Sequence, residues 1–245
     1  MTDEQFDLRI ISDWVRIGVL INYAPSDRTP DVEHLLLDTA RVAHADPLAF
    51  TMAATWLVEY GRLVAVHRLK RLIVTELEHD YVPVLGYLLQ TAVDHGATPK
   101  LSRAIDACEP ATTPEPLFDA YKANPTLVAI SEQHATEESK RWGLWAPPVQ
   151  LKFDALRPTR WILRQNPEFR ERAIRNGDLR CSILETLRRD VKDHRVASES
   201  ELARLCAANR AAVRKALDDL ELEGYELRAE RSTDHEQPIV LPDAA

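Results

Sequence analysis

Glycine is scarce in this chain, seven of 245 residues, which argues against a strand-rich sandwich or a dinucleotide-binding α/β fold, both heavy users of glycine in turns and phosphate loops. Cysteine is scarcer. Cys108, Cys181 and Cys206 are an odd set with no C-x-x-C spacing, a pattern of reduced thiols rather than of a disulfide framework or a zinc knuckle. Long apolar runs are missing as well: PLAFTMAATWLV, residues 47–58, falls well short of the roughly 20 apolar residues of a spanning helix. The acidic start MTDEQFDLRI lacks the basic-then-apolar order of a secretory leader, so a cytoplasmic location and no membrane partner are expected. No P-loop, G-x-G-x-x-G, H-E-x-x-H or nucleophile-elbow pattern occurs, so neither an enzyme nor a cofactor is expected. A basic surplus is lacking too, the formal net charge being -8.

Alanine, leucine, arginine and glutamate are abundant, and their propensities favour helix almost throughout. A polar residue followed by proline, the pair that opens helices, recurs at Thr29-Pro30, Asp46-Pro47, Thr98-Pro99, Asn124-Pro125 and Asn166-Pro167. With the helical spacing of the apolar residues, these pairs predict helices over 3–23, 30–44, 47–64, 66–78, 82–95, 99–108, 115–123 and 125–134. LLDTARVAHADP (36–47) and LLQTAVDHGATP (88–99) are alike, as any two amphipathic helices ahead of an X-Pro start are. EPATTPEP (109–116) predicts a loop. KRWGLWAPPVQ (140–150) predicts a packed connector, because two exposed tryptophans would leave large apolar areas in water. In TELEHD, Glu76, His79 and Asp80 would share one helix face at i, i+3 and i+4; the group is read as a solvated helix end and not as a metal site. His34, His44, His67 and His95 stand alone and are read as surface or partly buried residues.

Charge divides the chain. Up to Gln150 there are 13 Lys plus Arg against 21 Asp plus Glu, and from Leu151 onward 18 of each. The stretch 151–180 is locally basic, with eight basic and four acidic residues. After it, Leu179, Ile183, Leu184 and Leu187 give one helix an apolar face. Ser198 and Glu201 form a capping box for a second. Val213, Ala216, Leu217 and Leu220 line a third from about 210 to 223, which Gly224 stops. Two extended runs, 225–229 and 238–241, flank a polar tip.

ASESELARLCAANRAAVRKALDDLELEGY (197–225) closely resembles the DNA-binding domain of the GntR family of bacterial transcription regulators. The matching residues are Ser198, Glu199, Glu201, Leu202, Ala203, Arg210, Val213, Arg214, Ala216, Leu217, Leu220, Glu223 and Gly224. The resemblance implies a winged helix-turn-helix and carries the family's recognition-helix arginines onto Arg210 and Arg214. The sequence departs from the family at Ser200, where an arginine is usual, at Ala207, where glycine is usual, and in a head that is C-terminal. NPEFRERA (166–173) is similar to a helix that precedes the head in other bacterial winged-helix proteins, a likeness that implies an antitoxin or an autoregulator.

The expected fold is therefore mainly α: a multi-helical domain over 1–139 for sensing, dimerisation or partner binding, a junction with basic helices over 140–177, and a winged helix-turn-helix over 178–242. The expected function is a transcriptional regulator that reads double-stranded DNA through Arg210, Arg214, Lys215, Asn209, Arg204, Ser198, Arg228 and Arg231. A homodimer through the helical domain goes with that reading. The competing expectation is a protein-interaction subunit, an antitoxin or a defence-system adaptor, whose head docks protein.

Overall fold

The computed structural model describes residues 3–228 and 238–242, and in them the helix-favouring composition yields fourteen α-helices and four two-residue strands. Helices α1 (Asp3–Arg16), α2 (Val32–Val42), α3 (Pro47–Tyr60), α4 (Val66–Glu76), α5 (Val82–Asp94) and α6 (Ser102–Ile105) come first. Strand β1 (Glu115–Pro116), α7 (Asp119–Lys122), α8 (Pro125–His134), α9 (Glu137–Arg141) and β2 (Leu144–Trp145) follow. Next are α10 (Thr159–Gln165), α11 (Phe169–Arg175), α12 (Leu179–Arg189), β3 (Arg195–Val196), α13 (Glu199–Leu205), α14 (Arg210–Leu222) and β4 (Ile239–Val240).

The X-Pro pairs open helices where the polar residue is free to cap. Asp46 accepts from the amides of Leu48 and Ala49 ahead of α3, and Asn124 from that of Leu127 ahead of α8. Elsewhere the pair is used differently. At Thr29-Pro30 the cap is Asp31, two residues on; Thr98-Pro99 opens only a 3-10 turn before α6. Asn166 is fully buried, its side-chain amide donating to the carbonyls of Arg16 and Ile162, and α11 begins three residues later.

The first helix, expected over 3–23, ends at Arg16. Gly18 takes φ +106, and Val19 forms an antiparallel bridge with Leu156. The segment expected as helix over 115–123 is instead β1, paired in parallel with β2, followed by the short α7. The connector at 140–150 packs: Trp142 is 8% exposed and lies against α5 at Gly86, where a Cβ would stand 2.2 Å from its ring. Trp142 and Leu144 belong to one apolar cluster that runs from Ile10 to Phe169.

A second cluster runs from Ile183 to Leu241. It joins Ile183, Leu184 and Leu187 of α12 with Leu202 of α13 and Val213, Leu217 and Leu220 of α14, the apolar faces that the spacing predicts. Gly224, at φ +96, closes α14: its amide donates to Glu221 and that of Tyr225 to Leu220, the paired bonds of a Schellman cap. The same pair of bonds closes α13, where Ala207 and Ala208 donate to Arg204 and Ala203; here the left-handed position is Ala207, at φ +45. β3 and β4 pair antiparallel, and Arg228 bridges to Ile239, so the chain at 227–228 lies on the other side of β4.

Buried charge connects the two clusters. Arg68 of α4, fully buried, donates to Asp31 and Glu33 at the start of α2 and to Asp190 just past α12. Arg172 of α11 holds Glu33 at 2.7 Å and Glu185 of α12 at 2.6 Å. Burial alone would lift the Glu185 carboxyl, but the guanidiniums of Arg172, Arg189 and Arg188 outweigh it and hold its pKa at about 2. From α11, Arg175 reaches Glu223 and Glu171 accepts from the Tyr225 hydroxyl. The segment that carries α12 to α14 is thus held to the helical bundle by ion pairs and not by apolar contact alone.

Candidate nucleic-acid interface

The N-terminal half of α14 is placed by two side-chain caps. Ser198 Oγ accepts from the Glu201 amide and starts α13, while Glu201 reaches back to the Ala197 amide. Asn209 Oδ1 accepts from the Ala212 amide at 2.8 Å and starts α14. Both residues are expected from the sequence to touch DNA, and in this structure their side-chain oxygens are engaged in capping.

With Val213, Ala216 and Leu217 turned into the core, Arg210 and Arg214 stand at the edge of the buried face and Lys215 opposite it, all three exposed. Arg210 and Arg214 share one partner, Glu199 at the first turn of α13, at 3.4 and 2.9 Å. Arg228 approaches the same carboxylate at 3.5 Å and is also bound by Glu221 and Asp218. Burial would raise the Glu199 pKa, but hydrogen bonds from Arg214 and Arg210 bring it below the ordinary value. Hydrogen bonding to Glu221 and Asp218 raises that of Arg228. Arg204 and Lys215 are exposed and make no ion pair among the described residues. Arg231 and the polar tip expected between the two extended runs lie outside the described residues.

The structure therefore brings three of the eight expected residues together on Glu199, leaves two projecting into solvent and uses two as caps. Glu199 itself is legible in the sequence only as part of a motif. Its role shows in the fold, because Arg210 and Arg214 lie one helical turn apart and both face the start of α13.

Other candidate chemistry disperses. α4 ends at Glu76, Leu77 is extended, and His79 and Asp80 sit in a separate 3-10 turn, so the three do not share a helix face. Glu76 accepts from His34 instead. His34 lies between Asp31 and Glu76, and the hydrogen bond to Asp31 is the main reason its pKa rises to about 9. The thiols of Cys108, Cys181 and Cys206 are pushed up to about 12 by burial, far from a nucleophile's range. No group of His, Cys, Asp and Glu among the described residues could hold a metal ion, and no helix there is long and apolar enough to cross a membrane.

No family model matches the chain, and neither a curated protein nor a solved structure matches it.

Proposed function

We propose that the protein is a sequence-specific regulator that binds duplex DNA through a winged helix-turn-helix formed by α12, α13, α14 and the small sheet. The observation that carries the reading is the disposition of α14. Its first two turns present Arg210, Arg214 and Lys215 in exposed positions, the two arginines at the edge of the buried face towards α13 and Lys215 opposite the buried Val213, and the first turns of a recognition helix are those that meet base edges in the major groove. A second support is the order of the extended segments, with 239–240 between 195–196 and 227–228, the strand order that a wing requires. Arg204 and Lys215 supply phosphate contacts in this reading.

A specific observation favours a second reading, in which the head docks protein: Glu199 already neutralises part of the charge on Arg210, Arg214 and Arg228. Selection of duplexes from a random pool by the purified protein separates the two. Enrichment of a defined sequence, lost in Arg210→Ala or Arg214→Ala by about ten- to a hundredfold, the value of one bidentate arginine–guanine contact, is the expected result. Absence of any duplex binding at low salt would transfer the assignment to protein docking.

A further inference from the structure

The arginines of this chain differ in how they are neutralised. On α12, α14 and the strand after it, Arg180, Arg188, Arg189, Arg210, Arg214 and Arg228 all have carboxylate partners. Between 152 and 170 the situation reverses. Lys152, Arg157, Arg160, Arg164 and Arg170 are all exposed, and none has an ion pair among the described residues. The carboxylate of Glu168, which lies in the same stretch, is taken by Arg189. Asp154 is left as the one acidic group there without a basic partner. In a protein of net charge -8, this stretch gathers five exposed basic groups without an ion pair among the described residues, where the head has Lys192, Arg195, Arg204 and Lys215 more widely spaced.

The fold fixes part of this charge along α10. Ile162, fully buried, seats α10 against Gly18. Arg160 and Arg164 flank it two residues to either side, about 200° around the helix from it, so both point outward from the same side, one turn apart. Arg157 leads into the helix with its backbone held on both sides: its amide donates to Gly18 and its carbonyl accepts from the Tyr60 hydroxyl at 2.6 Å. Its guanidinium lies over the Trp161 ring, 5.5 Å from the centroid, a stacked arrangement that limits its rotamers. Arg170 continues the series on α11. A row of like charges on a short helix is unfavourable by itself and is relieved by a polyanion. Arginine in place of lysine suits a phosphate, whose oxygens the planar fork pairs two at a time.

We infer that the α10 ridge, Arg157, Arg160 and Arg164 with Arg170, is a phosphate-contacting surface for duplex nucleic acid that supplies sequence-independent affinity, while α14 supplies the choice of sequence. The inference rests on the DNA-binding reading of the protein but not on which residues of α14 read bases. It also accounts for how a head with its arginines held by Glu199 gains a hold on DNA: counterion release depends on the number of phosphates neutralised, wherever on the protein that happens.

The test uses the full-length protein and fluorescence-labelled random duplex titrated across a salt series. Arg160→Gln with Arg164→Gln is expected to weaken binding about tenfold or more at low salt and to lower the slope of log K against log salt by about two, one for each phosphate that is no longer neutralised. The preference for a selected sequence over random duplex and the thermal midpoint should stay as in the parent. Arg160→Lys with Arg164→Lys should restore the slope. An unchanged slope in the glutamine variant, with DNA binding otherwise intact, overturns the ridge and leaves α14 as the reader. A sequence preference that survives Arg210→Ala and Arg214→Ala, with a reduced slope in the ridge variant, upholds the ridge and removes α14. Loss of binding to a polyglutamate probe in the ridge variant, with duplex binding unaffected, reassigns the surface to an acidic protein.

Discussion

Glu199 shows how one residue can set the strength of a surface. It sits 9% exposed where Arg210, Arg214 and Arg228 converge, so a phosphate that approaches these guanidiniums has to compete with a carboxylate already in place. On the proposed DNA-binding reading, replacing it with glutamine, which keeps the shape and removes the charge, should strengthen binding to all duplexes by about five- to tenfold near 0.1 M salt and steepen the salt slope by about one, as one further phosphate contact does. A salt titration of Glu199→Gln reads both; unchanged affinity would mean that these arginines do not meet DNA. Ala207 provides a second test at this scale. It occupies the left-handed position of the turn between α13 and α14 at φ +45, which costs an L-residue roughly 1–2 kcal/mol, against about 0.4–1 kcal/mol of extra chain entropy for glycine. Ala207→Gly should therefore stabilise the protein by about 0.5–1 kcal/mol in denaturant unfolding, and a loss of stability would contradict the strained turn. That Ala207 stands in a glycine position is legible in the sequence. The convergence on Glu199 is not, because it depends on the angle between α13 and α14, which no local pattern encodes.

Among elements, what the spacing predicts well is the set of helices with their own caps. α8 spans 125–134 as expected, and α12, α13 and α14 start on Asp178, Ser198 and Asn209. The pattern fails where apolar period and backbone disagree. Ile17, Leu20 and Ile21 continue the period of α1, yet Gly18 turns the chain and Val19 runs extended against Leu156; Ile17, Val19 and Ile21 also alternate, and it is this period of two, that of a segment buried on one side, that the burial follows, with Leu20 exposed. Gly18 determines where α10 sits. A Cβ there would lie 2.8 Å from the Ile162 Cγ1, and its φ of +106 lies outside the range that a side chain tolerates. Gly18→Ala should lower stability by about 2 kcal/mol or more, from the backbone strain and the overpacking together, measured as a shifted denaturation midpoint. If Ile162 is the obstacle, Ile162→Val in the same chain should return part of that loss; no recovery would place the whole effect in the backbone.

At the scale of the molecule, the largest feature that local sequence patterns do not predict is the buried ion network, although its signature is present. Arg68 sits on the stripe Ala65, Leu69 and Leu72, and Glu33 on Leu36, Leu37 and Ala40, charged residues on faces that are otherwise apolar. Single helices give no partner for such a charge; only the packing of α2, α4, α11 and α12 does. Removing one partner from a buried network leaves the rest short of compensating charge, so Arg172→Met, which leaves Arg68 to compensate Glu33 and the partly exposed Arg188 and Arg189 to compensate Glu185, should cost about 3–5 kcal/mol. The same groups set the pH profile. Glu185 is held at about 2 against an ordinary 4.5. Its contribution is complete above about 4.5 and is lost as pH falls towards 2, because the unfolded chain takes up the proton first. His67, its pKa lowered chiefly by burial, acts in the same direction below 6.5. His34 acts oppositely. Raised to about 9 from 6.5, mainly by Asp31, it stabilises fully below 6.5, and that contribution disappears as pH rises through 9. Stability from these groups should peak near pH 6.5 and decline on both sides, read from denaturant unfolding across a pH series. His34→Gln should flatten the alkaline limb and Glu185→Gln the steepest part of the acid limb. An alkaline limb that persists in His34→Gln would show that the Asp31–His34–Glu76 bridge does not hold the proton that this arrangement assigns to it.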